Sequence, residues 1–233
     1  MINKEKVYVV VSAYNEEKVI GSVITDLQSN GYSRIVIVDD GSQDNTVGVC
    51  EDRNVILLKH IVNRGAGAAL KTGIDYALTK SVEIIVAFDG DGQHLASEIK
   101  CLIESMDKKE AEVVIGSRFL GKKSENMPMR KYVVLFFARI FTFLTTGLAV
   151  TDSQSGFRAF SKTAAEKIKM EEDCYAHCSQ IIEEIKHLNI KLKEVPVKIR
   201  YTDYSIKKGQ KLFNGLRIII RVLVNKLRRF RCF

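Results

Sequence analysis

The sequence predicts an α/β protein whose central sheet is mostly parallel and covered by helices. Short apolar runs, typical of buried strands, alternate with helical patterns between residues 7 and 115. Four of these runs end in polar or acidic clusters. Because the carboxyl ends of parallel strands share one edge of a sheet, we expect the clusters to converge there and form a functional site.

The strands and helices of the first half follow one another regularly. Strands are predicted at residues 7–11, 34–38, 55–58, 84–88 and 112–115. The first helix carries Val19, Val23, Ile24 and Leu27 on one face and ends at Gly31, and Asp44 or Asn45 caps the second. Two further helices are predicted near residues 63–78 and 95–107. The polar clusters that follow the strands are Tyr14-Asn15-Glu16, Asp39-Asp40, Asp89 with Asp91, and Ser117-Arg118.

The second half of the chain begins with residues 119–131, a polar and basic loop that we expect to be a mobile cover over the site. Residues 132–150 are nearly all apolar and are interrupted by Arg139, and their length is borderline for a membrane span, which favours a buried or membrane-skimming helix. Helices are predicted at about 161–169 and 176–188, and a strand at 192–199. A basic loop at 200–211 completes the domain that we expect over residues 1–211.

The C-terminal residues 212–233 predict a basic amphipathic helix. Its apolar positions near helical spacing are Leu212, Leu216, Ile219, Ile220, Leu223, Leu227 and Phe230. Such a helix suits an anionic membrane surface, although an ordinary docked helix with a solvated face stays open. It carries much of the positive charge, because residues 198–233 hold eleven Lys or Arg and one acid in a chain of net charge +8.

The charge leaves nucleic acid, an anionic membrane or an anionic substrate as partners of the C-terminal end. Acidic strand ends would repel the phosphates of a nucleic acid, so we expect none. The five cysteines form no framework spacing and no secretory signal opens the chain, which predicts reduced thiols in a cytosolic protein. Cys174, His177 and Cys178 offer three ligands, fewer than a structural zinc site uses.

Residues 84–94, IIVAFDGDGQH, organise the predicted site. The glycines allow a sharp turn after the strand, so that Asp89 and Asp91 emerge together at the edge of the sheet. Two carboxylates and the amide of Gln93 suit a hard divalent cation, Mg²⁺ or Mn²⁺, that shares phosphate oxygens with a substrate.

The segment Gly65-Ala66-Gly67 resembles a dinucleotide fingerprint only superficially. It follows the third strand rather than the first, and the third glycine is absent, so a nicotinamide enzyme is not expected. Small residues at a helix start permit either close approach of a diphosphate or sugar, or tight packing against the sheet, and both interpretations stay open.

Five motifs occur in order along the chain. They are Ser12-Ala13-Tyr14-Asn15-Glu16, Val38-Asp39-Asp40-Gly41-Ser42, Asp89-Gly90-Asp91-Gly92-Gln93-His94, Gly116-Ser117-Arg118 and Asp152-Ser153-Gln154-Ser155-Gly156-Phe157-Arg158. The chain thereby resembles the family 2 glycosyltransferases, specifically the dolichol- or polyprenyl-phosphate sugar synthases, over about residues 7–215.

The resemblance implies a GT-A fold and inverting transfer of a sugar from a nucleotide diphosphate to a polyprenyl or dolichyl phosphate, at the cytoplasmic face of a membrane. GDP-mannose, UDP-glucose and UDP-N-acetylglucosamine all stay open as donors, and a membrane-anchoring partner subunit is a further expectation. The nucleotide-sugar contacts that it implies are Ser12, Ala13, Tyr14, Glu16, Asp39, Asp40, Ala68, Asp89, Gly90 and Asp91. It implies a Mg²⁺ or Mn²⁺ site at Asp89, Asp91 and Gln93, catalytic roles for Asp89, Asp91, Arg118 and Asp152, and acceptor or diphosphate contacts at Arg118, Arg130, Ser155, Arg200 and Lys208.

Two departures from the family pattern concern the donor. Many relatives have proline at the position of Ser12, and many mannose enzymes have bulkier residues at Gly90 and Gly92, which weakens the prediction of mannose. The long membrane tail of some relatives is missing, which predicts peripheral membrane contact.

The chemistry requires a metal that neutralises the departing diphosphate and arginines that position an already ionised acceptor phosphate. Asp152 would serve as a base only if the acceptor were a hydroxyl. The alternatives are a family 2 transferase acting on a sugar hydroxyl, a nucleic-acid-binding protein and an inactive scaffold subunit.

Overall fold

The computed structural model describes residues 3–107, 110–121, 124, 127–173, 176–202 and 204–205. Its strands are β1 (Val7–Ala13), β2 (Ile35–Asp39), β3 (Ile56–Lys59), β4 (Ile84–Asp89), β5 (Val113–Ser117), β6 (Arg158–Ser161) and β7 (Leu192–Pro196). Its α-helices are α1 (Ile20–Ser29), α2 (Thr46–Glu51), α3 (Ala66–Leu78), α4 (Ile99–Asp107), α5 (Met129–Thr146), α6 (Lys162–Lys167) and α7 (His177–His187), with 3₁₀ turns at Lys4–Lys6 and Ala96–Glu98.

The described strands form one seven-stranded sheet in the order β3-β2-β1-β4-β6-β5-β7. β1 pairs in parallel with β2 and β4, β2 with β3, and β5 with β7, so the predicted α/β fold with a mostly parallel sheet is confirmed. The register sets Ala13 beside Asp39 and Ser12 beside Asp89. The polar ends of the three central strands therefore lie side by side, as the sequence predicted.

β6 is the one antiparallel strand among the described residues, and the sequence analysis missed it. It lies between β4 and β5 and runs against both. Its four residues are too few for alternation to be detected, and it begins with the buried Arg158, a residue that normally argues against a sheet interior. Because β6 is reversed, its amino end, preceded by residues 152–157, reaches the same edge as the carboxyl ends of β4 and β5.

Each face of the sheet is covered by an apolar layer. Val7, Val9 and Val11 of β1 pack on one face beneath α1 and α4, whereas Tyr8 and Val10 pack on the other beneath α3. This alternation is the side-chain period of a strand, and the burial of both faces explains why β1 reads as a continuous apolar run. The two layers hold the polar strand ends in place.

The helix α5 begins three residues earlier than predicted and ends at Thr146; its C-cap Gly147 has a left-handed φ of 72°, which glycine readily adopts. The buried alternative for this helix is wrong, because α5 buries Leu135 and Thr142 while Phe137 is 62% and Leu144 74% exposed. No helix in the described part of the chain has both the length and the apolar character needed to cross a membrane. The membrane-skimming alternative stays a prediction.

Other boundaries differ by a few residues. The helix expected at 161–169 is α6, preceded by β6, and the late strand ends at Pro196. The expected helix over 212–233 and Lys208 lie outside the described residues.

Candidate functional site

Asp89 and Asp91 stand where β4 ends, and Arg118 and Lys131 lie within electrostatic range of them; we call the region between these four side chains the cleft. His94 is hydrogen-bonded through Nε2 to Asp89 Oδ2 at 2.9 Å, and its ring stacks on Phe157 with the ring centres 4.8 Å apart. Burial raises the pKa of Asp89, but the hydrogen bond and charge of His94 and the charges of His177 and Arg118 outweigh it and lower the pKa overall. Asp89 is therefore held as a carboxylate.

Asp91 is oriented by Gln93, whose backbone N–H donates to Oδ1 at 3.0 Å and whose side-chain amide donates to Oδ2 at 2.7 Å. Burial first, and then the negative charge of Asp89, raise the pKa of Asp91. Two neighbouring carboxylates that repel one another fit a divalent cation, because the ion neutralises both. Gln93, which the sequence assigned to the metal, positions Asp91 in this structure.

Within the described residues, no group of three or more His, Cys, Asp or Glu side chains has the geometry to hold a metal ion. Asp89 and Asp91 would supply two ligands, and a Mg²⁺-like ion normally takes the remainder from water and substrate phosphates. The residues present therefore fit an ion that arrives together with a diphosphate, and they do not fit a permanent structural metal.

A cavity of about 430 Å³ opens beside the ends of β1 and β2. It is lined by Tyr14, Asp39, Gly41, Ser42, Gln43, Val47, Lys59, His60, Ile61, Val62 and Asn63. Asp39 Oδ2 accepts the backbone N–H of Ser42 at 3.1 Å, whereas the buried Oδ1 has no hydrogen-bond partner. Since an unpaired buried acceptor is costly, Oδ1 is suited to receive a donor from a ligand in this cavity.

Asp40 holds the wall of this cavity instead of facing it. Its Oδ1 bonds His60 Nδ1 at 2.7 Å and accepts Arg64 N–H at 3.0 Å, and its Oδ2 accepts Gly65 N–H at 2.7 Å. His60 is fixed from its other side by Thr72 Oγ1 at 2.9 Å. The nucleoside contact that the sequence assigned to Asp40 does not fit a carboxylate already occupied by its own loop.

Glu16, also assigned to the nucleoside, is buried and bonded to a distant segment. The hydroxyl of Tyr204 donates to Glu16 Oε2 at 2.9 Å, and the backbone N–H of Glu16 donates to Thr46 Oγ1 at 2.7 Å. Glu16 thus ties the loop after β1 to the residues that follow β7.

The two cations of the cleft are positioned by Asp152 and Tyr201. Arg118 donates to Asp152 Oδ2 from its backbone N–H at 3.1 Å and from Nε at 2.6 Å, and to the Tyr201 hydroxyl from Nη1 at 2.8 Å. Lys131 stands over the Tyr201 ring at 4.6 Å from its centre. Burial and the nearby charge of Arg118 lower the pKa of Lys131, and Asp91 and Asp89 partly oppose this. Lys131 therefore shares the cleft with both carboxylates.

Several assigned acceptor residues have other positions. Arg130 and Arg200 are exposed, and the backbone N–H of Arg200 donates to Gln93 O at 2.9 Å. Ser155 is buried and its hydroxyl donates to Gly116 O at 2.7 Å, so it shapes a turn and is not presented to a ligand. Asp152 is buried in the ion pair with Arg118, which makes it a positioning residue for that arginine and unsuited as a base.

The small residues at the start of α3 serve packing. The backbone N–H groups of Gly67 and Ala68 both donate to Asp173 O, at 2.8 and 3.1 Å. A Cβ on Gly67 would lie 2.1 Å from Glu172 O, so only glycine fits there. The diphosphate alternative for this turn, and the nucleotide contact assigned to Ala68, are therefore not matched by the structure.

The remaining assigned residues form the floor of the site. Gly90 N–H donates to Ser12 O at 3.0 Å, and Asp40 N–H donates to Ala13 O at 2.8 Å, so these backbones join neighbouring strand ends. Gly156 approaches Asp89 so closely that a Cβ would lie 2.7 Å from Oδ2. Side chains and backbone at this floor thereby set where the Asp89 carboxylate can stand.

Sequence reasoning missed His94, Lys131, Gly156, Tyr201 and Tyr204. One local signal was present for Lys131: it lies one helical turn before the buried Leu135, on the inward side of α5, whereas Arg130 does not. No local pattern identifies Tyr201 or Tyr204, because their partners are far away in the sequence.

Comparison with known proteins agrees with this geometry. The model of the family "Glycosyl transferase family 2" matches residues 8–169. A UDP-N-acetylglucosamine–dolichyl-phosphate N-acetylglucosaminyltransferase of Methanococcus voltae is 37% identical over 95% of this chain and 96% of its own. A polyprenol monophosphomannose synthase of Mycolicibacterium smegmatis is 27% identical over 87% of this chain and 79% of its own.

Among solved structures, a glucosyl-3-phosphoglycerate synthase from Mycobacterium tuberculosis, in complex with Mn²⁺, uridine diphosphate and phosphoglyceric acid, superposes with a TM-score of 0.73. The match covers 96% of this chain and 78% of the synthase chain; at 19% sequence identity it is evidence for the fold alone. The expected GT-A fold is thus confirmed. The family match extends over more than half of the sequence, and the protein belongs to glycosyl transferase family 2.

Proposed function

We propose that the protein is a metal-dependent, inverting glycosyltransferase that moves a sugar from a uridine diphosphate sugar to a polyprenyl or dolichyl phosphate. The observation that carries this proposal is the meeting of opposite charges in the cleft. Asp89 and Asp91 supply the negative side chains, and Arg118 and Lys131, which interact with them electrostatically, supply the positive ones. A transferase that joins two phosphate-bearing substrates needs both signs of charge at one place, a metal for the leaving diphosphate and cations for the acceptor.

The donor base would lie in the cavity beside Asp39. Uracil presents one imide N–H, which matches the single unpartnered oxygen of Asp39, whereas guanine presents two adjacent donors. The relative from Methanococcus voltae is named for a uridine diphosphate donor as well. Both observations support UDP over GDP.

Mg²⁺ or Mn²⁺ held by Asp89 and Asp91 would supply Lewis-acid neutralisation of the diphosphate as the sugar leaves. Gln93 and His94 keep the two carboxylates oriented for this task. The uridine diphosphate and Mn²⁺ in the distant structural neighbour support such a site.

The acceptor phosphate is already ionised near neutral pH, so the protein needs to position it and has no proton to remove. Asp152 fixes the fork of Arg118, and Tyr201 fixes its far end, which leaves the guanidinium rigid. A phosphate oxygen held by Arg118 and Lys131 would attack the anomeric carbon opposite the departing diphosphate, with inversion. A sugar hydroxyl as acceptor is disfavoured, because Asp152 is buried in its ion pair and no longer serves as a base.

The lipid part of the acceptor would extend along α5. The outer side of this helix exposes Met129, Tyr132, Val133, Val134, Phe136, Phe137, Ile140, Phe143 and Leu144. An exposed apolar surface of this size on a helix suits the interfacial region of a bilayer. Lys131 in the first turn of α5 then lies where a phosphate at the membrane surface meets the cleft. We place the protein peripherally on the cytoplasmic face, with the basic residues 212–233 predicted to add contact with anionic lipid.

The test is a donor and acceptor panel with purified protein. UDP-N-acetylglucosamine, UDP-glucose and GDP-mannose are each incubated with Mn²⁺ and a short polyprenyl phosphate or the matching polyprenol, and the lipids are analysed by mass spectrometry. We expect a glycosylated lipid phosphate of inverted configuration from a UDP-sugar and no product from the alcohol. Product from the alcohol alone, or with retained configuration, would contradict the proposal.

A further inference from the structure

A second, smaller cavity of about 60 Å³ opens next to Asp89 and shares no lining residue with the nucleoside cavity. It is lined by Ser12, Ala66, Leu70, Ala87, Phe88, Asp89, Gln154, Gly156, His177 and Cys178. The site described above uses Asp89, and it leaves Gln154, His177 and Cys178 without a role. These residues come from α7 and from the segment before β6, and the fold brings them next to Asp89.

The lining changes character with depth. Leu70, Ala87 and Phe88 are fully buried, whereas Ser12 and Gln154 are half-exposed. The buried part of the lining is therefore mainly apolar, with His177 and Cys178 as its polar members, and the mouth is polar. Gln154 is held in place because its side-chain amide donates to Ser179 Oγ at 3.1 Å.

The size of the cavity limits what can enter. One water needs about 10–15 Å³ of such space, so this cavity holds a group of a few atoms and excludes a whole hexose ring. A sugar whose anomeric carbon stands at the diphosphate near Asp89 can place one ring substituent inside. A hydroxyl would leave the apolar end in contact with water, which is unfavourable, whereas an acetamido group has a polar root and an apolar methyl tip.

We infer that this cavity receives the acetamido group of the donor, and that the donor sugar is an N-acetylhexosamine. The inference rests on the proposed function and adds the class of sugar to it. Gln154 at the mouth faces the amide, and Leu70, Ala87 and Cys178 surround the methyl group. Ala66, half-exposed in the first turn of α3, sets the width of the opening.

The first test measures binding without acceptor or turnover. The affinities of UDP, UDP-N-acetylglucosamine and UDP-glucose are compared by calorimetry in Mn²⁺. We expect the acetamido sugar to bind about tenfold more tightly than the plain hexose, the discrimination typical of one methyl-sized group in a fitted pocket. Ala66→Leu fills the opening and should remove this preference while the affinity for UDP is kept, and Ala149→Leu, at an exposed alanine outside the cavity, should keep it.

Cys178 supplies a second readout that needs no catalysis. The thiol is free and buried, with Sγ 3.5 Å from His177 Nε2. Methyl methanethiosulfonate labelling, read for Cys178 by fragment mass spectrometry, should be slowed several-fold by UDP-N-acetylglucosamine and unaffected by UDP.

Four results would overturn the inference. Equal affinities for the two sugars in the unmodified protein would refute the assigned sugar class and leave the proposed transferase standing. An unchanged preference in Ala66→Leu, or equal protection of Cys178 by UDP, would show that the sugar lies elsewhere. Absence of binding by every uridine nucleotide would overturn the inference and the proposed function together.

Discussion

The ammonium group of Lys131 lies over the ring of Tyr201, 4.6 Å from the ring centre. The hydroxyl of the same tyrosine accepts a hydrogen bond from Arg118 at 2.8 Å. Tyr201 therefore contacts two cations that lie near each other. Their mutual repulsion is partly offset by about 0.5–2 kcal/mol of cation–π attraction between Lys131 and the ring. The two cations share the cleft with Asp89 and Asp91 and can bind an anionic group of a substrate.

Removing the charge of Lys131 should weaken use of the acceptor. We expect Lys131→Met to lower kcat/KM for polyprenyl phosphate by about 10²-fold, the usual scale for one electrostatic contact at a transition state, with UDP affinity unchanged. Arg130→Met removes the same charge at the neighbouring exposed position and should change kcat/KM for polyprenyl phosphate by less than about threefold. Equal effects of the two substitutions in a detergent assay would contradict the assignment.

The pH profile offers a separate check on Lys131. Burial and the charge of Arg118 lower its pKa, so the ammonium loses its proton, and the acceptor its partner, at a lower pH than an ordinary lysine would. We expect kcat/KM for the lipid phosphate to fall on the alkaline side as pH rises through that pKa. Arginine keeps its positive charge over the whole assayed pH range, so in Lys131→Arg the decrease of kcat/KM should begin at higher pH. The same alkaline decrease in both proteins would refute this explanation.

Gly156 sets the position of Asp89 by contact. A Cβ at residue 156 would lie 2.7 Å from Asp89 Oδ2, so Gly156→Ala must displace the carboxylate. Displacement by a fraction of an ångström at a reacting centre costs up to about 10²-fold in rate, and we expect a loss of this order. Mn²⁺ titration should show weaker binding with UDP present, while circular dichroism shows an unchanged fold. Full activity in this variant would mean that Asp89 does not need its present position.

Asp39 should determine which base is bound. Its Oδ2 is occupied by Ser42 and its Oδ1 is free to accept the imide N–H of uracil. Asp39→Asn can present an N–H in place of that acceptor, so UDP should bind about tenfold more weakly or worse, on the scale of an unmatched buried polar group. CDP, whose ring nitrogen is an acceptor, should gain relative to UDP. A calorimetric comparison in which both nucleotides weaken equally would argue against a base contact.

The apolar face of α5 should determine binding to lipid vesicles. Phe137 and Leu144 are 62% and 74% exposed, and Phe137→Glu with Leu144→Glu places two negative charges on that face. We expect co-sedimentation with anionic vesicles to fall several-fold, because charge and lost apolar area both oppose insertion. The control is Ser81→Glu with Ser97→Glu, which adds the same charge at exposed positions outside α5. An equal loss in both double variants would mean that net charge alone governs binding.

The strand ends were the part of the site that a linear reading could recover. Alternation of strand and helix gave the parallel order, and the acidic residues after β2 and β4 were predicted to converge because parallel strands end at one edge. The register confirms the proximity, with Ala13 opposite Asp39 and Ser12 opposite Asp89. The strand β6 could not be predicted from the sequence, because it has only four residues and its direction depends on the strands beside it.

The roles of individual carboxylates were less predictable than their locations. Asp39 and Asp40 are adjacent in sequence, yet Asp39 lines a cavity and has a buried oxygen without a partner, whereas both oxygens of Asp40 accept hydrogen bonds from its own loop. Adjacent strand-end residues point to opposite sides, so which of them meets a ligand depends on the loop that packs against them. Arg130 and Lys131 differ in the same way on a helix, because only one of two consecutive positions can face inward.

The amino-acid sequence by itself determined the layered α/β fold, the edge at which the site lies and its acidic character, since these follow from apolar periodicity and from turn residues within short windows. Only the tertiary structure decided which side chains complete the site. Arg118 meets Tyr201 across 83 positions, and Glu16 meets Tyr204 across 188. Contacts at such separations are selected by the packing of whole elements, so no local pattern encodes them.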